Sequence, residues 1–383
     1  MLWKRHEPES MQDSGEQQNR GPNLNQAGAV LTIDLGAIRE NYRLLRERLE
    51  GGQCAAVVTA DGYGLGAAAV ATALRREGCN AFFVAQAAEG ISLRRVLGEG
   101  PDIFVLNGIH PGAEDDCAAA GLTAVANSAA QLAAWQAAAR RRGQRLPVAV
   151  QVDSGMSRLG MAQSEVESIG RDAFDGLDLK LVMSHLACAD ELNNPVNALQ
   201  RKAFEALRRM LPDAPASLAN SSGIFLGGAF HYDLVRPGAA LYGVNPTPGR
   251  ENPMRQTVRL AAKIIQTRGL EAGIGVGYGH SFRSTAELRL ATIALGYADG
   301  WPRRAAAVAW HRGRRLPFAG RVSMDTIILD ISALSPEEPA PGDLVELIGE
   351  RQTIDEIAAL SDTIGYEILT GLGHRFHRRY EGG

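Results

Sequence analysis

Residues 54–66 read CAAVVTADGYGLG, a short apolar run that stops at a hydroxyl, an acid and closely spaced glycines. The run suits one buried strand, and the glycines mark a tight turn at its end. The next stretch, AAAVATALRREG (67–78), is alanine-rich with apolar positions three and four apart, which is helical spacing. The unit then recurs. Apolar runs AFFVA (81–85), DIFVL (102–106), TAVA (123–126), PVAVQVD (147–153), LKLVMSHL (179–186), PASLAN (215–220) and DLVRPG (233–238) each end at polar or glycine-rich residues. Eight such strand–helix units predict a (β/α)8 TIM-like barrel. A doubly wound sheet is the alternative, because strand order is not written in a sequence; no GxGxxG follows an early strand to support it.

Upstream, residues 1–26 are polar, rich in Gln, Asn, Ser and Pro and without an apolar core, and read as a disordered leader rather than a secretory signal. VLTIDL (30–35) is a short strand and GAIRENYRLLRERLE a helix, so the barrel domain is assigned to 27–245. Beyond TPGRENPMRQ the texture changes to alternating runs such as VRLAAKIIQTRGL, ELRLATIALGYADG and GDLVELIGE, separated by Gly and Pro. These predict an all-β C-terminal domain over 246–383, ending in one helix (353–363, with Thr353 as N-cap) and an arginine-rich tail.

Composition narrows the function classes. The chain has 383 residues, 45% hydrophobic and 22% charged, which is ordinary for a soluble globular protein. A net charge of −3 gives no electrostatic reason for a nucleic-acid or membrane-surface partner. No apolar run reaches the ~18 residues of a membrane span. Cys54, Cys79, Cys117 and Cys188 lack CxxC spacing, so buried thiols in a reducing cytoplasm are expected and a metal site is not. Only four lysines (Lys4, Lys180, Lys202, Lys263) stand against 36 arginines.

In a parallel barrel, chemistry sits at the C-terminal strand ends. Here those ends carry Thr59-Ala60-Asp61-Gly62-Tyr63, Asp153 to Arg158, Ser184-His185, Asn220-Ser221-Ser222 and Arg236-Pro237-Gly238. Singly these are turn formers, a core histidine and a surface charge. Gathered at one rim they supply what a phosphate- and carboxylate-binding pocket needs.

The blocks DGYGLGA (61–67), VDSGMSRLG (152–160), SHLACADE (184–191), NSSG (220–223), RPGAALYG (236–243), VGYGHSF (276–282), GYADGWPRR (296–304), GRVSMD (320–325) and GYEILTGLG (365–373) resemble, in order, those of alanine racemases. The resemblance covers nearly all of residues 28–383. It implies pyridoxal 5'-phosphate (PLP) as cofactor and interconversion of L- and D-alanine, supplying D-alanine for peptidoglycan. It also implies a cytoplasmic homodimer with shared active sites. Tyr63, Ser221, Gly238, Ala239 and Tyr366 would hold the phosphate, and Arg236 would face the pyridine nitrogen. Arg158 and the backbone of Met324 would bind the substrate carboxylate, and Tyr297 would line the entrance. Tyr278 would remove the α-proton of the L-enantiomer. A phenol, ordinarily near pKa ~10, needs cationic neighbours for that task, and His185 and Arg236 are the matching ones. Tyr278 and Met324 would come from the partner subunit.

Two positions depart from the family pattern. Gln151 stands where many relatives have a carbamylated lysine, and its amide is expected to accept from Arg158. Thr59 stands where the family has the lysine that carries PLP. A lysine amine condenses with an aldehyde and later acts as a base; a threonine hydroxyl does neither at neutral pH. Covalent attachment of PLP is therefore not expected. Beside the racemase reading stand two others: a PLP- or amino-acid-binding paralogue without activity, and slow chemistry by PLP that needs no lysine.

Overall fold

The computed structural model describes residues 21–305 and 307–383. Most of the polar leader lies outside the described residues. Its last part, 21–26, forms a turn in which Lys263 Nζ donates to the Leu24 carbonyl and the His377 ring meets the Pro22 carbonyl at 3.1 Å.

The barrel is built as the strand–helix repeats require. Strands Ala56–Val57, Ala81–Val84, Asp102–Val105, Thr123–Ala126, Leu146–Gln151, Leu177–Met183 and Ala216–Ser217 pair in parallel, each with its sequence neighbour. Closure comes from the eighth, Leu234–Val235. It pairs in parallel with Gln53–Cys54, just upstream of the first strand, and meets the seventh through the Asn220–Arg236 bridge. Side chains fill the interior: Ala55, Phe83, Phe104, Val125, Ala149, Leu181 and Met183 form one buried cluster, with Phe83 stacked on Phe104 at 4.5 Å. The barrel interior is thus a packed core rather than a pore, and its mouth is where strand ends can gather functional side chains.

The strand Ala29–Asp34, assigned from sequence to the barrel segment, belongs to the other sheet. It pairs antiparallel with Val258–Leu270 and parallel with the tail strand His377–Glu381. Five of its six residues are buried, as befits a central strand covered on both faces. Asp34 then caps the helix Leu35–Glu47, accepting from Ala37 N at 2.9 Å, and that helix crosses to the barrel. There Asn41 donates to the carbonyls of Leu241 and Arg255, and Tyr42 donates to that of Cys54.

The C-terminal domain is sheet-rich, with the order Arg314–Pro317, Val308–His311, Leu344–Ile348, Val258–Leu270, Ala29–Asp34, His377–Glu381 and a branch through Leu288–Ile293 and Ile327–Asp330. Thr353 caps Ile354–Leu360, as its sequence suggests, in a reciprocal box with Glu356. A second helix, Gly365–Gly371, follows, and the arginine-rich tail is the strand His377–Glu381 rather than a free end. Among the described residues no helix is long and apolar enough to cross a membrane.

Candidate active site

Where the first barrel strand ends, the chain makes a turn of the opposite hand. Ala60, Asp61, Gly62 and Tyr63 all have φ between 52° and 64°. Three of the four carry a β-carbon, so each costs ~1–2 kcal/mol against the right-handed form. Hydrogen bonds hold the turn. Glu89 Oε1 accepts from Ala60 N at 2.6 Å while its Oε2 takes the N–H groups of Ala85 and Gln86, and Asp61 Oδ1 accepts from Ala67 N. Thr59 stands immediately before this turn, half-buried at the barrel mouth. Sequence reading missed Glu89; its position three residues after Gln86, at a helix start, was the available signal.

The left-handed turn delivers Tyr63 against the eighth strand end. Its ring stacks on Tyr242 at 4.5 Å and meets Tyr366 edge-on at 6.2 Å. A β-carbon built on Gly238 would lie 2.2 Å from the Tyr63 hydroxyl, so only glycine allows this approach. Ser221 Oγ accepts from Gly238 N at 2.9 Å and Ala240 N at 3.1 Å, which leaves its hydroxyl hydrogen to donate. Burial raises the pKa of Tyr63, reinforced by Tyr366, and burial likewise raises that of Tyr366. Both phenols are therefore hydrogen-bond donors at neutral pH. Tyr242, which stacks beneath Tyr63, was not singled out from the sequence; it lies within RPGAALYG.

Deeper in the mouth, Arg236 is only 3% exposed. Its guanidinium donates to Ser217 Oγ and, at 2.6 Å, to the Ser184 carbonyl, and lies 5.9 Å over the Phe83 ring. Burial lowers its pKa to about 9, which still leaves it protonated at neutral pH. His185 follows Ser184. Burial first, then the charges of Arg236 and Arg158, push its pKa down to about 3. That shift favours a neutral His185, so of the two neighbours expected to be cationic, Arg236 is the one that keeps its charge. Arg158 is exposed and makes no hydrogen bond or ion pair among the described residues. Its loop is shaped by Asp153, whose carboxylate accepts from the N–H groups of Gly155, Met156 and Ser157. Gln151 does not bond to Arg158 as anticipated; its amide donates to the Leu159 carbonyl at 3.3 Å.

Tyr278 and Met324 are not part of this mouth within one protomer. They lie on the C-terminal domain, 69% and 53% exposed, and Tyr278 lines an open cleft of ≈ 520 Å³ with Gly277, Gly279, His280 and Ser323. Tyr297 is exposed beside them, its N–H bonded to the Ser323 carbonyl.

No described lysine substitutes at residue 59. Lys180 pairs with Asp178 at 2.7 Å, Lys202 is exposed on Pro195–Arg208, and Lys263 is bound to Leu24; Lys4 lies outside the described residues.

The barrel mouth thus gathers hydroxyl donors around a glycine cradle, one buried cation and one arginine without a hydrogen bond or ion pair among the described residues, groups chemically suited to phosphate and carboxylate. Family models for the alanine racemase N-terminal domain and C-terminal domain match residues 33–246 and 257–380. Over 359 residues the chain is 66% identical to a protein of Mesorhizobium japonicum named "Alanine racemase, catabolic", spanning 93% of this chain and 94% of that one. It is 50% identical to a protein of the same name from Agrobacterium fabrum, with 92% of each chain covered. The crystal structure of alanine racemase from Bartonella henselae with covalently bound pyridoxal phosphate superposes with a TM-score of 0.88 at 41% identity, covering 93% of this chain and all of that one. The chain belongs to the alanine racemase family, whose members are PLP-dependent isomerases.

Proposed function

We propose that the barrel mouth binds PLP without a covalent link and is built for α-proton exchange on alanine, with Thr59 standing in the place of the family lysine. The observation that carries this reading is the cradle at Gly238, where Tyr63, Ser221 and Tyr366 converge beside a strand end that offers no amine. Those residues fit a phosphate-bearing pyridine ring. They do not fit its covalent capture.

When bound, PLP withdraws electrons from the Cα–H bond of an amino acid and makes that proton removable. Tyr63, Ser221 and Tyr366 would donate to the phosphate, aided by the backbone at Gly238 and Ala239. Arg236, a fixed cation, would face the pyridine nitrogen and disfavour its protonation, which would restrain the electron sink and favour return of the proton to the same carbon. Arg158 and the Met324 backbone hold the carboxylate, and Tyr297 borders the entrance. Tyr278 takes or returns the proton on the L face, and it and Met324 reach the site from a second copy in a homodimer; their exposure on one protomer supports that arrangement. On the D face Thr59 supplies no base at neutral pH.

Both relatives named above carry the word catabolic in their names, which favours alanine breakdown over D-alanine supply for peptidoglycan, in a cytoplasmic setting. A second reading, a PLP- or amino-acid-binding protein without turnover, is favoured by the absence of a nearby lysine among the described residues. The variant Thr59→Lys separates the two. Chiral chromatography of alanine should show racemisation rising by several powers of ten, since a general base alone contributes ~10²–10⁴. A lysine variant that captures PLP covalently yet stays inert would favour the binding protein. Full activity with Thr59 in place would overturn the mechanism.

A further inference from the structure

Three segments of the C-terminal domain meet at one arginine. Arg375 donates through Nε and Nη2 to both oxygens of Asp299, at 2.7 and 2.9 Å, and through Nη1 to Asp325 at 2.8 Å. Asp299 is 5% exposed, and its carboxylate also accepts from Gly296 N at 3.0 Å, closing the turn that carries Tyr297. Asp325 is the neighbour of Met324, whose carbonyl accepts from Ala298 N at 3.0 Å. The backbones are interlocked as well: Gly373 N donates to the Asp299 carbonyl, and a β-carbon on Gly300 would lie 1.8 Å from the Gly371 carbonyl. A further link runs back to the barrel. Arg378 donates to the carbonyls of Gly373 and Gly64, the latter at 2.6 Å and next to Tyr63.

We infer that Arg375 is a positioning residue: its planar fork fixes the turns 296–300 and 323–326 relative to each other, and so sets where Met324 and Tyr297 are presented. This deepens the proposed function and rests on it for what those two residues touch. The fork is specific to arginine, because two carboxylates at three oxygens demand planar, divergent donors that an ammonium lacks. Without it Asp299 remains a buried charge with backbone partners alone, and the turn must open to hydrate it.

The test compares the full-length PLP-loaded protein with Arg375→Gln and Arg375→Lys. Hydrogen exchange followed by mass spectrometry should quicken at least tenfold in peptides covering 296–300 and 320–326 in both variants, with the barrel unchanged. Affinity for propionate, read by saturation-transfer NMR, should fall about tenfold or more through loss of a charge-assisted hydrogen bond, while PLP affinity stays within about twofold of the parent. Unchanged exchange overturns the inference. So does restoration by lysine, or a parallel fall in PLP affinity and urea midpoint, which would mark a merely structural pair. A parent protein that binds no propionate would overturn the proposed function instead, and the exchange comparison would still decide the role of Arg375.

Discussion

Gly238→Ala tests the cradle by putting a methyl group in place of one hydrogen. The new β-carbon would sit 2.2 Å from the Tyr63 hydroxyl oxygen, 3.0 Å from its ring carbon and 3.3 Å from Val57 Cβ. Comfortable contact needs about 3.5 Å, so Tyr63 must retreat by roughly 1 Å. Tyr242 blocks one way out: it stacks on Tyr63, is 1% exposed and is tethered by its hydroxyl to the Val57 carbonyl at 3.0 Å. The remaining path leads toward Tyr366 and closes the space assigned to phosphate. Overpacking of this kind costs about 1–3 kcal/mol, or roughly 2–6 °C in melting temperature for a chain of this size. Loss of one charge-assisted hydrogen bond to phosphate should weaken PLP binding roughly ten- to a hundredfold. Thermal melts and absorbance titrations with PLP read the two effects separately. Adding Tyr63→Phe removes the closest atom, so the double variant should regain at least half of the lost stability while PLP affinity stays low. A Gly238→Ala protein with parental stability and affinity would refute the close approach, and a double variant as unstable as the single one would refute Tyr63 as its cause.

Acid should destabilise the protein through His185 in a defined window. Its folded pKa, about 3, lies below the ordinary ~6.5, so the unfolded chain takes up a proton that the fold refuses. Stability is therefore full above ~6.5 and falls as pH drops toward about 3, by at most about 1.4 kcal/mol per pH unit; urea midpoints of the parent and His185→Gln should converge as pH falls through that range. The segment 246–383, expressed alone, should lack a cooperative melt, because Ala29–Asp34 sits between two of its strands. Fusing residues 27–36 back through a flexible linker should restore one, whereas a well-folded isolated segment would show that the strand is dispensable.

The barrel was legible because most of its strands carry an apolar run that stops at a polar or glycine-rich turn. Those stops also placed Tyr63 and Gly238 at the mouth, where the structure brings them together. Ala29–Asp34 misled because a doubly covered strand has the same apolar pattern in either sheet. The tail strand was hidden by its arginines: Arg378 is 5% exposed, its charge met by the carbonyls of Gly64 and Gly373 rather than by water. Left-handed backbone at Ala60, Asp61 and Tyr63 has no local signal, since Glu89 holds it from another helix. Charge states depend on burial in the same way. The resemblance offers His185 and Arg236 as cationic neighbours of Tyr278, and burial, which a sequence does not show, pushes the His185 pKa down.

The proposed non-covalent binding of PLP, argued from Thr59, is tested most directly by reduction. The unmodified protein is saturated with PLP, treated with borohydride and digested, and every lysine-containing peptide is weighed. The expected result is no pyridoxyl-lysine anywhere, with the cofactor colour removable by dialysis before reduction. A pyridoxyl group on Lys4, Lys180, Lys202 or Lys263 would contradict it and reveal an anchor outside residue 59.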